Sequence, residues 1–298
     1  MKKLLLSSFA IACAMSLSAQ IYTQDFEGTS GGALPSGWTQ VTAATDGGFQ
    51  SSTSFTSTYF DFAAHTTYVG TNDDICNCDK ANEELISDAI AIPATGVHNL
   101  SFEYVLGLYY GETGEVGIST DGGATNTQLT LLDPTRVSGT SEHTWESASF
   151  SLAAYAGQTI NIVWTYHDNA DWGSGMMVDD VAITALPAVD MAMSAITNNP
   201  TIVAGSESIT GTVTNNGASN ITSIDISWND GTGPYNETFT VNLNYGDTYN
   251  YTHGTPLTAV AGTNYNIDVT VIASGDADAS NDMLSTTLST VSSVVPKI

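Results

Sequence analysis

The sequence predicts an all-β chain built of two β-sandwiches, and three observations predict it. Apolar and polar residues alternate over short segments. Clusters of Gly, Thr, Ser and Asn interrupt those segments about every ten residues. The period of an amphipathic helix is nearly absent. A chain of 298 residues has room for two domains of ordinary size, each with its own core.

Taken in order, Met1-Lys2-Lys3, the apolar stretch from Leu4 to Leu17, and Ser18-Ala19 read as a secretory leader over residues 1–19. Ala10-Ile11-Ala12-Cys13 loosely resembles a lipoprotein processing site, so a lipidated Cys13 is an alternative. No later segment approaches the roughly 20 apolar residues of a spanning helix, and no membrane-spanning segment is expected.

Leu100, Phe102, Tyr104 and Leu106 fall on one face of a strand, with Asn99, Ser101 and Glu103 on the other. Val116 and Ile118 make a shorter strand that ends in the turn Ser119-Thr120-Asp121-Gly122-Gly123. Ile160, Ile162, Trp164 and Tyr166 repeat the half-buried pattern. Ala185 to Val189 lacks alternation, which places a linker there and bounds a first domain at 20–187.

Beyond it, Ile209 and Val213 precede the turn Asn215-Asn216-Gly217. Ile224, Ile226 and Trp228 line one face of the next strand; Phe239, Val241 and Leu243, then Tyr265, Ile267, Val269 and Val271, line two more. About a hundred residues in seven such segments match an immunoglobulin-like sandwich over 188–290. Residues 291–298 read as a tail or truncated linker.

The chain has 5 Lys+Arg against 31 Asp+Glu, and loss of Lys2 and Lys3 with the leader leaves three basic side chains. Such a surface repels phosphate backbones, which excludes nucleic acid as a partner. After processing, Cys76 and Cys78 remain, and a local disulfide is favoured over an interchain bridge or free thiols in an oxidising compartment. Two thiols without nearby His cannot complete a zinc site.

Several segments together resemble a known family. Asp25-Phe26-Glu27 and Leu34-Pro35-Ser36-Gly37-Trp38-Thr39 are similar to the opening of the cleaved-adhesin and choice-of-anchor J jelly rolls, relatives of the MAM domain. Asn82 to Ile90, Leu100 to Tyr104, Val116 to Thr125, Leu152 to Thr159 and Val178-Asp179-Asp180-Val181 resemble later segments of that family in the same order. Glu84 and Asp88 depart from it, standing where the family has an aromatic and a proline. In the second domain, Asp190-Met191-Ala192-Met193, Val213 to Gly217 and Asp276 to Asp282 resemble CARDB-like adhesion modules. The resemblance implies an N-terminal jelly-roll β-sandwich and a C-terminal immunoglobulin-like β-sandwich on a bacterial adhesin, secreted or held at the cell surface. Chains of this layout often continue into a type IX sorting tail or a further domain.

Asp25 and Glu27, two apart in an expected first strand, project from one face around Phe26. If that face is inward, so few basic residues could neutralise them that a hard cation such as Ca2+ is the candidate partner; exposed carboxylates with no ion are the alternative. Asp73 and Asp74, and one of Asp179 and Asp180, which should alternate onto opposite faces, could add oxygens. The resemblance implies a structural calcium in this neighbourhood.

No Gly-x-Ser-x-Gly elbow or His-Glu-x-x-His helix is present, and the five histidines are scattered, so no enzyme is expected. Tyr109, Tyr110 and Trp172 sit in expected loops beside acidic and amide groups and are the candidate ligand-binding residues. The plainer expectation for Trp172 is that it covers the edge of the core. The leading expectation is a non-catalytic adhesion protein that engages a surface protein or glycan. A carbohydrate-binding module, or accessory domains of a larger secreted hydrolase, are the alternatives.

Overall fold

A computed structural model describes residues 20–107 and 110–291. The expected leader at 1–19, residues 292–298 of the expected tail, and Tyr109 lie outside the described residues. The chain divides into two compact units, one ending at Ala185 and the other beginning at Leu186. Both are all-β sandwiches, and no helix among the described residues is long and apolar enough to cross a membrane.

The first unit contains β1 (Gln20–Gln24), β2 (Thr39–Val41), β3 (Gln50–Ser52), β4 (Asp61–Phe62), β5 (Tyr68–Asn72), the short helix α1 (Asp73–Cys76), β6 (Glu83–Ile86) and β7 (Ile90–Ala91). It continues through β8 (His98–Leu106), β9 (Thr113–Ser119), β10 (Thr127–Leu131), β11 (Glu142–His143), β12 (Glu146–Ser151), β13 (Thr159–His167) and β14 (Gly175–Ala185). One sheet runs β12-β8-β14-β5-β3 and the other β10-β9-β13-β6-β2. β5 pairs with residues 175–178 of β14 and β1 with residues 181–184, so two short strands share its length.

Alternation places Leu100, Phe102, Tyr104 and Leu106 inward, where they meet Val116, Ile118, Ile160, Ile162, Trp164 and Tyr166 from the facing sheet. Trp38 stacks on Trp164 at 5.6 Å, and Phe102 meets Trp164 edge-on at 5.4 Å. Asp88 takes a structural role: its Oδ1 accepts from the Tyr22 hydroxyl at 2.6 Å, and Tyr22 in turn accepts from the Trp38 indole N–H at 3.2 Å. β13 is less half-buried than its alternation suggests, because Asn161, Val163 and Thr165 are covered too. It is a central strand, and Asn161 donates to the Ser87 carbonyl while Ser87 Oγ accepts from Ile162 N. On the opposite face of the β8–β14 sheet, Val105 and Met177 are cross-strand partners covered by Phe60, Phe62 and Tyr68.

The second unit contains β15 (Met191–Ile196), β16 (Thr201–Val203), β17 (Gly205–Glu207), β18 (Thr210–Asn215), β19 (Ile221–Asn229), β20 (Tyr235–Leu243), β21 (Thr248–Thr252), β22 (Leu257–Ala259), β23 (Asn264–Ile272) and β24 (Met283–Val291). Sheet β15-β18-β21 packs with sheet β16-β24-β23-β19-β20 around Ile209, Val213, Ile226, Trp228, Ile267 and Val269. The Asn215-Asn216-Gly217 turn is built by buried Asn215: its amide donates to the carbonyls of Ser219 and Leu243, and its Oδ1 accepts from Gly217 N at 2.9 Å.

Candidate functional site

The predicted site residues separate into two groups. The first lies where β5 runs into α1 and where the loop between β13 and β14 passes beside it. Asn72 caps the helix through its Oδ1, which accepts from Ile75 N at 2.9 Å. At the other end Asn77, in the left-handed conformation at φ 50°, is bracketed by the disulfide between Cys76 and Cys78, the state the sequence favours.

Buried carboxylates shape the neighbouring loops. Asp73 Oδ2 accepts from Gly173 N at 2.6 Å; Asp168 accepts from Lys80 N at 2.7 Å and Ala170 N at 2.9 Å. Glu112 accepts from Ser174 N at 2.7 Å and from Tyr110 N at 3.1 Å, and Asn169 reaches the Gly111 carbonyl. The Tyr110 loop and the Trp172 loop are thereby tied together. Asn169 and Ala170 both hold positive φ, 58° and 56°, and the alanine in particular marks a backbone constrained by its surroundings.

This framework projects Trp172 outward, 68% exposed, which overturns the expectation that it covers the core. Loop hydrogen bonds, rather than apolar contacts, set its direction. Tyr110 is 53% exposed on the adjoining loop. Beside Trp172 lies a depression of about 340 Å³ lined by Asp73, Asn77, Asp79, Asp168 and Asp171. Burial raises the Asp73 carboxyl to about 6, opposed by its bond from Gly173 and reinforced by the charges of Asp168 and Glu112. Tyr166, also buried, has a hydroxyl that finds no hydrogen-bond partner among the described residues.

The second group centres on β14. The expected first-strand placement of Asp25 and Glu27 is corrected: β1 ends at Gln24, and Asp25-Phe26-Glu27 forms a turn. Side chains compete with the ladder here, since Gln24 Oε1 accepts from Phe26 N at 2.7 Å and Asp25 Oδ1 from Glu27 N at 3.2 Å. Phe26 sits at φ 55° and is buried, while both acids are exposed. Glu27 Oε1 accepts from Thr67 N at 2.8 Å, and Asp25 and Asp180 line one surface groove.

Asp179 and Asp180 do not simply alternate. Opposite β8 the register slips between Asp179 and Ala182, a β-bulge with Asp180 at φ 49° that returns both Val178 and Val181 to the core. Both carboxylates gather at His65, a residue that nothing in its local sequence singles out. Asp179 Oδ2 lies 2.7 Å from His65 Nδ1, and Glu103 Oε2 lies 2.9 Å from Nε2. One donor atom each from His65, Glu103 and Asp180 falls within 4.8 Å of the others. The only advance signal was Glu103 on the polar face of its strand; Asp179 is its direct cross-strand partner. Such a like-charged pair is costly unless a cation or proton intervenes. Burial first, then the charge of Asp180, raises Asp179 to about 7, and His65 opposes the shift.

The six predicted metal ligands therefore cannot share one ion. Asp73 N donates to Ser174 O at 3.0 Å, and Asp179 lies five residues, roughly 16 Å of extended strand, beyond Ser174. Donors to one Ca2+ are at most about 5 Å apart. Asp74 is occupied elsewhere, accepting from Tyr59 N at 3.1 Å.

No family model and no curated protein matches this chain. Among solved structures, it is similar to the K3 cleaved adhesin domain of Lys-gingipain from Porphyromonas gingivalis, at 18% identity over 56% of this chain and 100% of that one, with a TM-score of 0.38. A carbohydrate-binding module of Cellvibrio mixtus lichenase 5A in complex with cellotriose is 15% identical over 56% of this chain and 98% of its own, with a TM-score of 0.30. The glycoside hydrolase domain of Endo-D from Streptococcus pneumoniae is 13% identical over 85% of this chain, which spans only 37% of that one, with a TM-score of 0.31. Likenesses at these scores decide neither ligand nor activity, which have to be read from the side chains.

Proposed function

We propose that this chain is a secreted, non-catalytic binding protein of the bacterial surface whose jelly roll recognises a glycan at the end carrying Trp172. The observation that carries this reading is the 68% exposure of Trp172 beside a depression edged by carboxylates and the Asn77 amide. A pyranose ring presents an apolar face that packs on an indole and hydroxyls that bond to such acceptors. Tyr110 extends the aromatic surface on a loop tied to the same framework. The second unit serves as a spacer or partner surface.

A structural Ca2+ belongs to the same proposal. Of the predicted ligands, Asp25 and Asp180 fit it best, because their side chains border one groove where β1 meets β14. An ion there would join the first and last strands of the jelly roll. It would also balance the charge of Asp25, whose carboxylate accepts from the backbone N–H of Glu27.

The binding claim is tested on a glycan array with the full chain. Saturable binding is expected, lost in Trp172→Ala and weakened in Tyr110→Ala, with melting temperatures unchanged. A wild-type chain that binds no glycan, or a Trp172→Ala variant that binds as well as wild type, refutes it.

A further inference from the structure

The depression beside Trp172 carries more negative charge than a neutral sugar requires. Asp73 and Asp168 border it and are only 4% and 1% exposed, while Glu112, 1% exposed, holds the adjoining Ser174. Asp79 and Asp171 add exposed carboxylates at its rim. The backbone N–H bonds to the buried acids orient them without cancelling their charge. Lys80, fully buried nearby, directs its ammonium to both oxygens of Asp46 at 2.9 Å and to Glu83 at 3.6 Å. The Lys80 charge offsets part of that at Asp73, and low-dielectric walls around the remaining, mainly negative charges focus the field on the opening.

A buried polar group also stands behind these acids, outside the lining of the depression. The Tyr166 hydroxyl is 0% exposed and without a hydrogen bond among the described residues, and it stands close to Asp73: a Cβ added at Gly173 would lie 2.2 Å from it and 2.9 Å from Asp73 Oδ2. Its ionisation is pushed far up by burial and then by Glu112, Asp73 and Asp168. The acids at this depression are not gathered as a chelate. Among the described residues, the donor triplets within 4.8 Å are His65–Glu103–Asp180 and Asp46–Cys76–Cys78, and the two thiols of the latter are joined in a disulfide. Spread negative charge beside an open indole suits an organic ammonium better than a bare metal ion.

Resting on the glycan reading, we infer that this site selects sugars with a free amino group, the de-N-acetylated hexosamines, over neutral and N-acetylated ones. The apolar ring face lies on Trp172, and the ammonium turns toward Asp73, Asp168 and Asp171. One ring thus satisfies both the indole and the carboxylates. The volume, about 340 Å³, lies at the small end of ligand sites and fits one or two such rings.

The test is calorimetric titration of the full chain at about pH 7, where Asp73 is mostly ionised and a sugar amine is still largely charged, with a glucosamine tetramer, its N-acetylated counterpart, tetralysine and Ca2+ as separate probes. Asp79→Asn/Asp171→Asn is the informative variant, because both side chains are exposed and the fold does not depend on burying them. The glucosamine tetramer is expected to bind at least tenfold tighter than the acetylated one, a difference of about 1.4 kcal/mol. That preference should shrink with added salt and in the double variant, and all sugar binding should be lost in Trp172→Ala. Equal or tighter binding of the acetylated tetramer overturns the amine selectivity and leaves the glycan reading intact. Tetralysine binding without either sugar overturns both. Calcium uptake abolished by the double variant makes this a metal site and overturns the inference. Silence from every probe also overturns it, with the array of neutral glycans then deciding the broader reading.

Discussion

Asp282 shows how one side chain couples this acidic protein to pH. Burial first, and then the charges of Asp276, Asp190 and Asp278, together raise its carboxyl from 3.8 to about 6. Because the folded state holds the proton more tightly, this contribution to stability is complete below about pH 4 and is lost as pH rises through about 6. Asp190 shifts in the same direction, again chiefly through burial, whereas Asp278 is lowered by Ser280 and acts oppositely at more acidic pH. The second unit is therefore expected to melt at a higher temperature at pH 5 than at pH 7, by calorimetry, and Asp282→Asn to remove most of that difference. A flat profile in the wild-type chain would mean that Asp282 titrates normally.

At the scale of elements, β14 carries the most demanding geometry of the first unit. It receives β5 and β1 on successive halves, pairs with β8, and bulges at Asp179–Ala182 between them. Its entry depends on Gly175, at φ 145°, where a Cβ would stand 2.3 Å from the Thr71 carbonyl oxygen. Gly175→Ala must push the backbones of β5 and β14 apart, and a loss of about 3 kcal/mol is expected in urea denaturation of the first unit. Gly28 has open space where a side-chain carbon would stand, with no atom within 4 Å. Gly28→Ala should accordingly leave the same transition within about 0.5 kcal/mol of wild type. Equal effects of the two substitutions would show that the close approach at Gly175 is not what holds the strands.

For the whole molecule, two separate cores imply two separable transitions. One core centres on Trp164 and Phe102, the other on Trp228 and Val269, and the chain divides between Ala185 and Leu186. If the first unit holds calcium through Asp25 and Asp180, excess chelator should lower its melting temperature by several degrees and leave the second transition in place. For a domain of this size, several degrees corresponds to about 1–2 kcal/mol. An unchanged melt, on protein first shown by elemental analysis to contain calcium, argues against a structural ion.

Alternation along the chain determined the fold class and the facing of most strands, from Leu100 through Leu106 to Tyr265 through Val271, because the two-residue period of a strand is a local property. Turn chemistry was legible for the same reason, as at Asn215-Asn216-Gly217, and so was the Cys76–Cys78 pairing across one residue. Local reading failed at Asp25-Phe26-Glu27, where neighbouring side chains capture the backbone, and at Asp179–Asp180, where a bulge cancels the alternation. Which acids meet was decided only by tertiary structure: Asp73 with Asp168 and Glu112, and Asp179 with His65 and Glu103, come together from strands and loops far apart in sequence. The exposure of Trp172 belongs with them, since its loop is held by Asp73 and Glu112 from two other segments as well as by Asp168 within the loop itself. Periodicity is set by each residue and its nearest neighbours, whereas convergence of charges is set by the pairing of distant strands.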